Sequence, residues 1–312
     1  MRKSSNSSND KLLIVGGTGF IGINVAEKAV KHGFQVSIIS KNSCPTSNRL
    51  KGVEYIAVDI TKKKDLLFEL KNKTFNYVLN LGGYVDHSDF SEGGSEVFET
   101  HFNGAMNLVN CINKASLQSF VQIGSSDEYG GNVAPQNESQ REMPISPYSF
   151  AKAAVTHFLQ MLYRTERFPV VILRPFLVYG VGQEDNRFIP KIVQGCINNN
   201  PFPVSAGEQL RDFCYIDDIV NVILLALTSK DVYGEVINIA SGNPVPIKHV
   251  INTIVDMVGS GKPNFGQVGY RNMENMMLYA DISKAERVLG WSPSIGLEQG
   301  LELIINSKMK NQ

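Results

Sequence analysis

KLLIVGGTGFIG, Lys11 to Gly22, is the stretch that decides the fold. Its first part, Leu12 to Val15, is a run of branched apolar residues with the composition of a strand buried on both faces. The run breaks on Gly16-Gly17-Thr18-Gly19. From Phe20 the apolar residues Ile21, Val25 and Ala29 recur at helical spacing until Gly33 supplies a stop. Gly16, Gly19 and Gly22 stand in G-x-x-G-x-x-G, and each has a physical use. They allow a tight turn, close approach of backbone to a pyrophosphate, and close packing of helix on sheet. With Thr18, Phe20 and Ile21 they form a loop at a helix N-terminus, where amides and helix dipole suit phosphate groups.

Outward from this turn the same rhythm continues. Further strands are expected at Gln35–Ile39, Gly52–Asp59, Tyr77–Leu81, Phe120–Ile123 and Val170–Leu173, with helices at Lys62–Leu70, Glu96–Ala115 and Tyr148–Thr165. Strands alternating with helices imply an α/β fold with a doubly wound parallel (Rossmann) sheet. After Arg174 the pattern loosens, leaving Ile216–Leu227 as a helix and Val236–Ala240 as a strand able to rejoin the sheet. The expected division is a dinucleotide-binding domain of residues 10–174 and 212–242, and a smaller discontinuous α/β domain of residues 175–211 and 243–308.

Bulk properties narrow the function. The 312 residues suffice for two sub-domains, and 30 basic against 30 acidic residues leave no net field to favour nucleic acid or an anionic membrane. Cys44, Cys111, Cys196 and Cys214 lack C-x-x-C spacing, which speaks against a zinc site or a disulfide framework and fits a reducing cytoplasm. The polar start, Met1 to Asp10, has no apolar core of a signal peptide, and the apolar run Ile219–Leu227 is about half a membrane span. No metal and no membrane partner are expected.

At the end of the second strand, an acidic residue would bind the ribose diol of NAD and an arginine the 2′-phosphate of NADP. Here Ser40-Lys41 offers neither, so NAD(H) is favoured only slightly and NADP(H) stays open. Asp59-Ile60 is placed to meet the adenine, although Asp59 also suits a helix N-terminus. Leu81-Gly82-Gly83 ends a strand with small residues where a cofactor could pass. Asn103, a poor helix former in a helix, is expected to stitch neighbouring backbone near the cofactor.

Tyr148 and Lys152 are four apart on a helix and so share a face. An ammonium beside a phenol favours phenolate, a base able to take a proton from a substrate oxygen. The strand Phe120–Ile123 runs into Gly124-Ser125-Ser126-Asp127-Glu128-Tyr129-Gly130, which puts hydroxyls at the carboxyl edge of the sheet. A lone Y-x-x-x-K means little, since an amphipathic helix with a surface lysine would show it. The hydroxyl-bearing strand end just before it makes a trio.

These blocks resemble the nucleotide-sugar branch of the extended short-chain dehydrogenase/reductase family. The resemblance runs from Lys11 to about Leu303 through GGTGFIG (Gly16–Gly22), GSSDEYG (Gly124–Gly130), PYSFAK (Pro147–Lys152), LRPFLVYGVGQ (Leu173–Gln183), RDFCYIDD (Arg211–Asp218) and ADISKAERVLGW (Ala280–Trp291). It implies that Tyr148 is the general acid/base, Lys152 its electrostatic partner and a holder of the nicotinamide ribose, and Ser125, ahead of Ser126, the hydroxyl donor. It implies that Arg211 and Arg271 grip a nucleotide pyrophosphate, with Arg187 a weaker phosphate candidate. It also implies a homodimer through helices Glu96–Ala115 and Tyr148–Thr165. Leu177 departs from the family, which has Asn in this R-x-x-N stretch near the substrate phosphates.

The shared chemistry of that branch is hydride exchange at C4 of the sugar. Asp127 falls where its 4,6-dehydratases place a glutamic acid, and Glu128 where the family is usually apolar. The compact S-S-acid-E-Y-G pattern looks more like GDP-4-keto-6-deoxyhexose reductases and GDP-heptose C4 dehydrogenases. The expectation is therefore C4 oxidation or reduction of a GDP-linked sugar, in capsule or lipopolysaccharide synthesis. A 4,6-dehydratase or a 4-epimerase is the alternative, and a non-catalytic dinucleotide sensor is a further one.

Overall fold

A computed structural model describes residues 10–270 and 274–310. The chain divides into two compact units. The first comprises the described residues up to Gly130, then Glu142–Arg174 and Val220–Ile237. Its sheet contains β1 (Lys11–Val15), β2 (Gln35–Ser40), β3 (Glu54–Ala57), β4 (Tyr77–Asn80), β5 (Ser119–Ile123) and β6 (Val170–Pro175), and is closed by the strand Val236–Ile239. The order is Val236–Ile239, β6, β5, β4, β1, β2, β3. β1 lies parallel between β2 and β4, with Val15 opposite Ile39 on one side and Asn80 on the other. The strand order reverses at that point, and a doubly wound sheet opens a ligand crevice at the carboxyl ends there.

Helices α1 (Phe20–Lys31), α2 (Lys63–Leu70), α3 (Gly94–Phe98), α4 (Gly104–Cys111) and α5 (Pro147–Glu166) belong to the same unit. One core fills it: Leu13, Val15 and Val78 from the sheet, Leu66 and Leu70 from α2, Leu108 and Val109 from α4, and Val155 and Leu159 from α5 are all buried. Near-continuous apolar strands fit a sheet covered on both faces.

The helix expected over Glu96–Ala115 is corrected in two respects. A π-helical turn, Glu99–Asn103, separates α3 from α4, and α4 ends at Cys111. Such bulges insert a residue into the helical ladder and are frequent at functional sites. This one carries His101, which is buried.

The second unit comprises Gly131–Arg141, Pro175–Ile219 and the chain from Asn238. Its main sheet pairs the strand Leu210–Tyr215 with Pro244–Pro246, Met277–Leu278 and Leu177–Tyr179. Residues 131–141 were expected in the first domain and lie in this unit instead. The reason is Gln136, which bridges to Ala280 and whose side-chain amide donates to the Met277 carbonyl at 2.9 Å. Asn238 completes the clasp by donating its side-chain amide to the Gln136 carbonyl at 3.0 Å.

Candidate active site

The glycine loop has the geometry of a phosphate cradle. Gly16 holds φ +75, and a Cβ there would stand 2.9 Å from the Leu81 carbonyl oxygen. A Cβ on Gly22 would stand 2.5 Å from the Gly16 oxygen and 2.6 Å from the Gly17 Cα, so α1 packs on the loop backbone to backbone. The N-terminus of α1 has no side-chain cap and no acidic residue in its first turn. No side chain of its own first turn therefore competes with an anion for its orphan amides. Phe20 and Ile21 are half-buried beside them, and Thr18 and Gly19 are exposed.

The residues expected to meet the adenosine lie at the ends of β2 and β3. Ser40 Oγ donates to the Asn42 carbonyl at 2.8 Å. Lys41 Nζ lies 3.4 Å from Oδ2 of Asp59, whose other oxygen accepts from the Thr61 amide and hydroxyl. Lys41 and Asp59 line a cavity of about 390 Å³ together with Val58, Asp65, Phe68 and Glu69. Ile60 is buried under Gly82 and Gly104, each so close to it that a Cβ would stand 2.9 and 2.6 Å from its Cδ1. The glycine loop, packed backbone to backbone at Gly16 and Gly22, fits the pyrophosphate of a dinucleotide by shape. The stitching expected of Asn103 is made one turn later by Asn107, whose amide donates to the Ile60 and Thr61 carbonyls at 3.0 and 3.1 Å.

The expected trio assembles around the end of β5. Ser125 caps the 3₁₀ turn Ser126–Tyr129, and its Oγ accepts from the Asp127 amide at 3.1 Å. Ser126 is buried beside it. Tyr148 opens α5 behind Ser146, whose hydroxyl accepts from the Ser149 amide at 3.1 Å, and Pro147 takes the first helical position. Lys152 Nζ donates to the Ile123 carbonyl at 2.9 Å and lies 5.8 Å from the Tyr148 ring centroid. Burial pushes the ammonium down to about 8, against the pull of Glu128 and Asp127.

Sequence reading missed the residues that hold this trio. Glu128 is fully buried, and its Oε1 accepts from the Ser125 amide at 2.8 Å. Its Oε2 accepts from Thr156 Oγ1 of α5 at 2.9 Å and from Arg174 Nε at 3.0 Å. Arg174, also fully buried, reaches Glu142 at 2.5 Å and rests over the Tyr129 ring, 4.8 Å from its centroid. One carboxylate thus ties the serine turn, the tyrosine helix and β6 together. Two histidines meet the Tyr148 ring edge-on: His87 with centroids 5.5 Å apart, and His101 at 5.3 Å. His101 Nε2 faces the Tyr84 carbonyl at 2.9 Å. Burial, reinforced by the Lys152 charge, pushes its imidazole down to about 3, so it is neutral. Its ring lies flush on Gly83, whose φ of +124 and lack of Cβ admit it. The only signal in the sequence was two histidines following a Gly-Gly strand end.

In the second unit Arg211 is buried, pairs with Glu274, and donates to the Leu210 carbonyl at 2.9 Å. Arg187 is exposed and loosely paired with Glu184 at 3.5 Å. Arg271 lies outside the described residues. Among the described residues, no helix is long and apolar enough to cross a membrane.

Comparison with known proteins places the chain. The model of the NAD dependent epimerase/dehydratase family matches residues 12–240. A putative UDP-glucose 4-epimerase of Methanocaldococcus jannaschii is 28% identical, covering 96% of this chain and 98% of that protein. The dTDP-D-glucose 4,6-dehydratase of Mus musculus is 29% identical over 96% of this chain and 89% of its own. The crystal structure of a UDP-glucuronic acid 4-epimerase from Bacillus cereus, in complex with UDP-glucuronic acid and NAD, superposes with a TM-score of 0.86 at 26% identity, covering 97% of this chain and 100% of that one.

Proposed function

Starting from a chain that belongs to the NAD-dependent epimerase/dehydratase family, we propose that it transfers hydride between NAD and C4 of a nucleotide-linked sugar. The observation that carries this reading is the assembly of Ser125, Tyr148 and Lys152 at the end of β5, in the unit that also holds the glycine cradle. The cradle and the Lys41–Asp59 cleft would hold NAD, with Leu81, Gly82 and Gly83 along its path. The chemistry NAD supplies there is acceptance of the C4 hydride and, where the reaction requires it, its return. The rest falls to the chain. Tyr148 takes the proton from the C4 hydroxyl, and the Lys152 ammonium favours the phenolate that does so. Ser125 donates to the same oxygen as it becomes a carbonyl.

The fate of the 4-keto sugar separates epimerase, dehydratase and simple reductase. Glu128 is spent in a buried ion pair and offers no acid to the cleft, so a dehydration would rest on the part-exposed Asp127, and hydride return at C4, as a 4-epimerase or a 4-reductase, asks for no group beyond the trio. The relatives named above act, by their names, on UDP- and dTDP-linked sugars, so a guanosine nucleotide draws no support from them. Arg211, and Arg187 more weakly, would serve the diphosphate. A homodimer through the stretches 96–115 and 148–165 is supported by an aromatic cluster in which Phe98 stacks on Phe102 and on Phe150, Phe102 meets Phe158 edge-on, and Phe150 is exposed. Four unpaired cysteines accord with a cytoplasmic enzyme.

The test is incubation of the NAD-loaded chain with UDP-glucose, UDP-glucuronic acid, dTDP-glucose and GDP-mannose, following absorbance at 340 nm and the sugar products. At least one sugar should be turned over by the native chain, and Tyr148→Phe should lower kcat by about 10²–10⁴-fold. A native chain that binds NAD but alters none of the four, or a Phe variant of full activity, would count against the reading.

A further inference from the structure

Among the described residues, three buried side-chain atoms have no hydrogen-bond partner: Ser119 Oγ, Arg174 Nη1 and Gln209 Oε1. Ser119 opens β5, at the end remote from the carboxyl edge of the sheet, and Arg174 satisfies its charge through Glu128 and Glu142. Neither reason covers Gln209. It is 8% exposed, and a buried acceptor without a donor destabilises the fold that holds it. Its backbone is fixed on both sides. The Gln209 carbonyl accepts from the Ile247 amide at 3.0 Å, and the next amide, of Leu210, donates to the Met276 carbonyl at 2.8 Å. Leu210 opens the strand Leu210–Tyr215 and stands opposite Pro246 and Met277. The ladder therefore runs one pair beyond the strand, to Gln209 and Ile247, and side chains alternate between its faces. Gln209 and Arg211 share a face, about 7 Å apart along the chain. Arg211, buried as well, is the cation assigned to the diphosphate. On the other flank of Gln209 is Met276, 36% exposed, whose unbranched thioether can yield to an incoming group.

We propose that Gln209 reads the nucleoside of the substrate. Its carboxamide oxygen accepts from a donor on that nucleoside, a ribose hydroxyl or a ring N–H of the base, while Arg211 on the same face holds the diphosphate. This rests on the nucleotide-sugar reading above. The chemistry of the orphan atom sets the class of group it takes. An ionised phosphate has no proton to give a carbonyl oxygen, and the hexose is assigned to Tyr148 in the first unit, so the donor left for Gln209 is on the nucleoside. A buried acceptor made for one hydroxyl or N–H rejects a nucleotide that lacks it, because the acceptor then stays unpaired. Gln209 is thus a specificity-determining residue, and the fold carries its unpaired oxygen for the sake of the ligand.

Gln209→Leu removes the acceptor and nearly keeps the size of the side chain. The probe is whichever of UDP, dTDP and GDP binds the native chain most tightly, and calorimetric titration and thermal melting are read on the full chain. The variant should melt at or above the native temperature, since it no longer buries an unpaired oxygen, and should bind the probe about tenfold more weakly. The probe is then replaced by forms lacking one ribose hydroxyl or methylated at the ring N–H. The form that lacks the donor should bind the native chain about tenfold more weakly than the probe does, and the variant as well as the probe does. A variant with native affinity overturns the proposal. So does one that melts several degrees lower or fails to fold, because the side chain then serves the fold. Equal binding of every form by the native chain overturns it as well. If none of the three nucleotides binds the native chain, the nucleotide-sugar reading itself fails and takes this proposal with it.

Discussion

Replacing Glu128 by Gln keeps the size of the side chain and removes its charge, which makes it a sharp test of what holds the site together. In the native chain the carboxylate accepts on both oxygens, from the Ser125 amide on one and from Thr156 and Arg174 on the other. A carboxamide has one acceptor oxygen, so whichever way it is placed its NH₂ confronts a donor. Removing one partner of a buried ion pair costs about 3–5 kcal/mol, and Arg174 keeps Glu142, so the lower end, about 3 kcal/mol, is expected. A second effect follows from charge. Glu128 is the largest charge opposing the burial that brings the Lys152 ammonium down to about 8. Without Glu128, Lys152 loses its proton at lower pH. The phenolate is favoured only while Lys152 is charged, so activity falls as pH rises through the lysine's pKa. The alkaline limb of kcat/KM, near pH 8 in the native chain, should move to lower pH in the variant. Urea unfolding gives the first quantity and a pH–rate profile the second. A purely structural Glu128 would lower stability and leave the limb in place. A variant within about 1 kcal/mol of native stability, with the limb unmoved, would refute the positioning role.

Three further outcomes follow from the same geometry. Gly22→Ala places a methyl against backbone atoms of Gly16 and Gly17 that cannot yield, and the cradle must open; titration calorimetry should show NAD binding weakened by about tenfold or more. Glu274→Gln releases Arg211 from its carboxylate partner, so KM for the nucleotide sugar should fall severalfold with kcat unchanged in steady-state assays. His101 has a folded-state pKa of about 3 against an ordinary 6.5, so as pH falls below 6.5 the unfolded chain takes up its proton first. Stability should be lost progressively between pH 6.5 and 3, by about 2–3 kcal/mol at pH 4.5. His101→Asn should lack that portion of the decline when urea midpoints at pH 7 and pH 4.5 are compared.

Much of the fold was legible because burial on both faces of a parallel sheet writes itself locally. Leu12–Val15 and Val170–Leu173 are uninterrupted apolar runs, and the glycines at 16, 19 and 22 mark a junction that only backbone-to-backbone packing explains. The helix over 96–115 misled for an equally physical reason. A π-helical turn costs one extra residue in the ladder but leaves the apolar residues on either side, Val97 and Leu108, buried in helices, so the periodicity barely records it. The placement of residues 131–141 was not legible at all. It depends on Gln136 finding a carbonyl 141 residues away.

The site divides along the same line. Tyr148 and Lys152 were readable because four-residue spacing on a helix is a local fact, and Ser125 because a strand end fixes its place. Glu128 was read as a polar residue at a position where apolar ones are usual, an anomaly without an explanation. Its partner explains it: a charge can be buried at the end of β5 only because Arg174 is buried at the end of β6, 46 residues on, and adjacent parallel strands bring their ends together. The anomaly was thus half of a pair whose other half was quoted as part of the LRPFLVYG block without a role. A charged residue standing where a buried apolar one belongs is therefore best read as a demand for an opposite charge at the same level of the neighbouring strand.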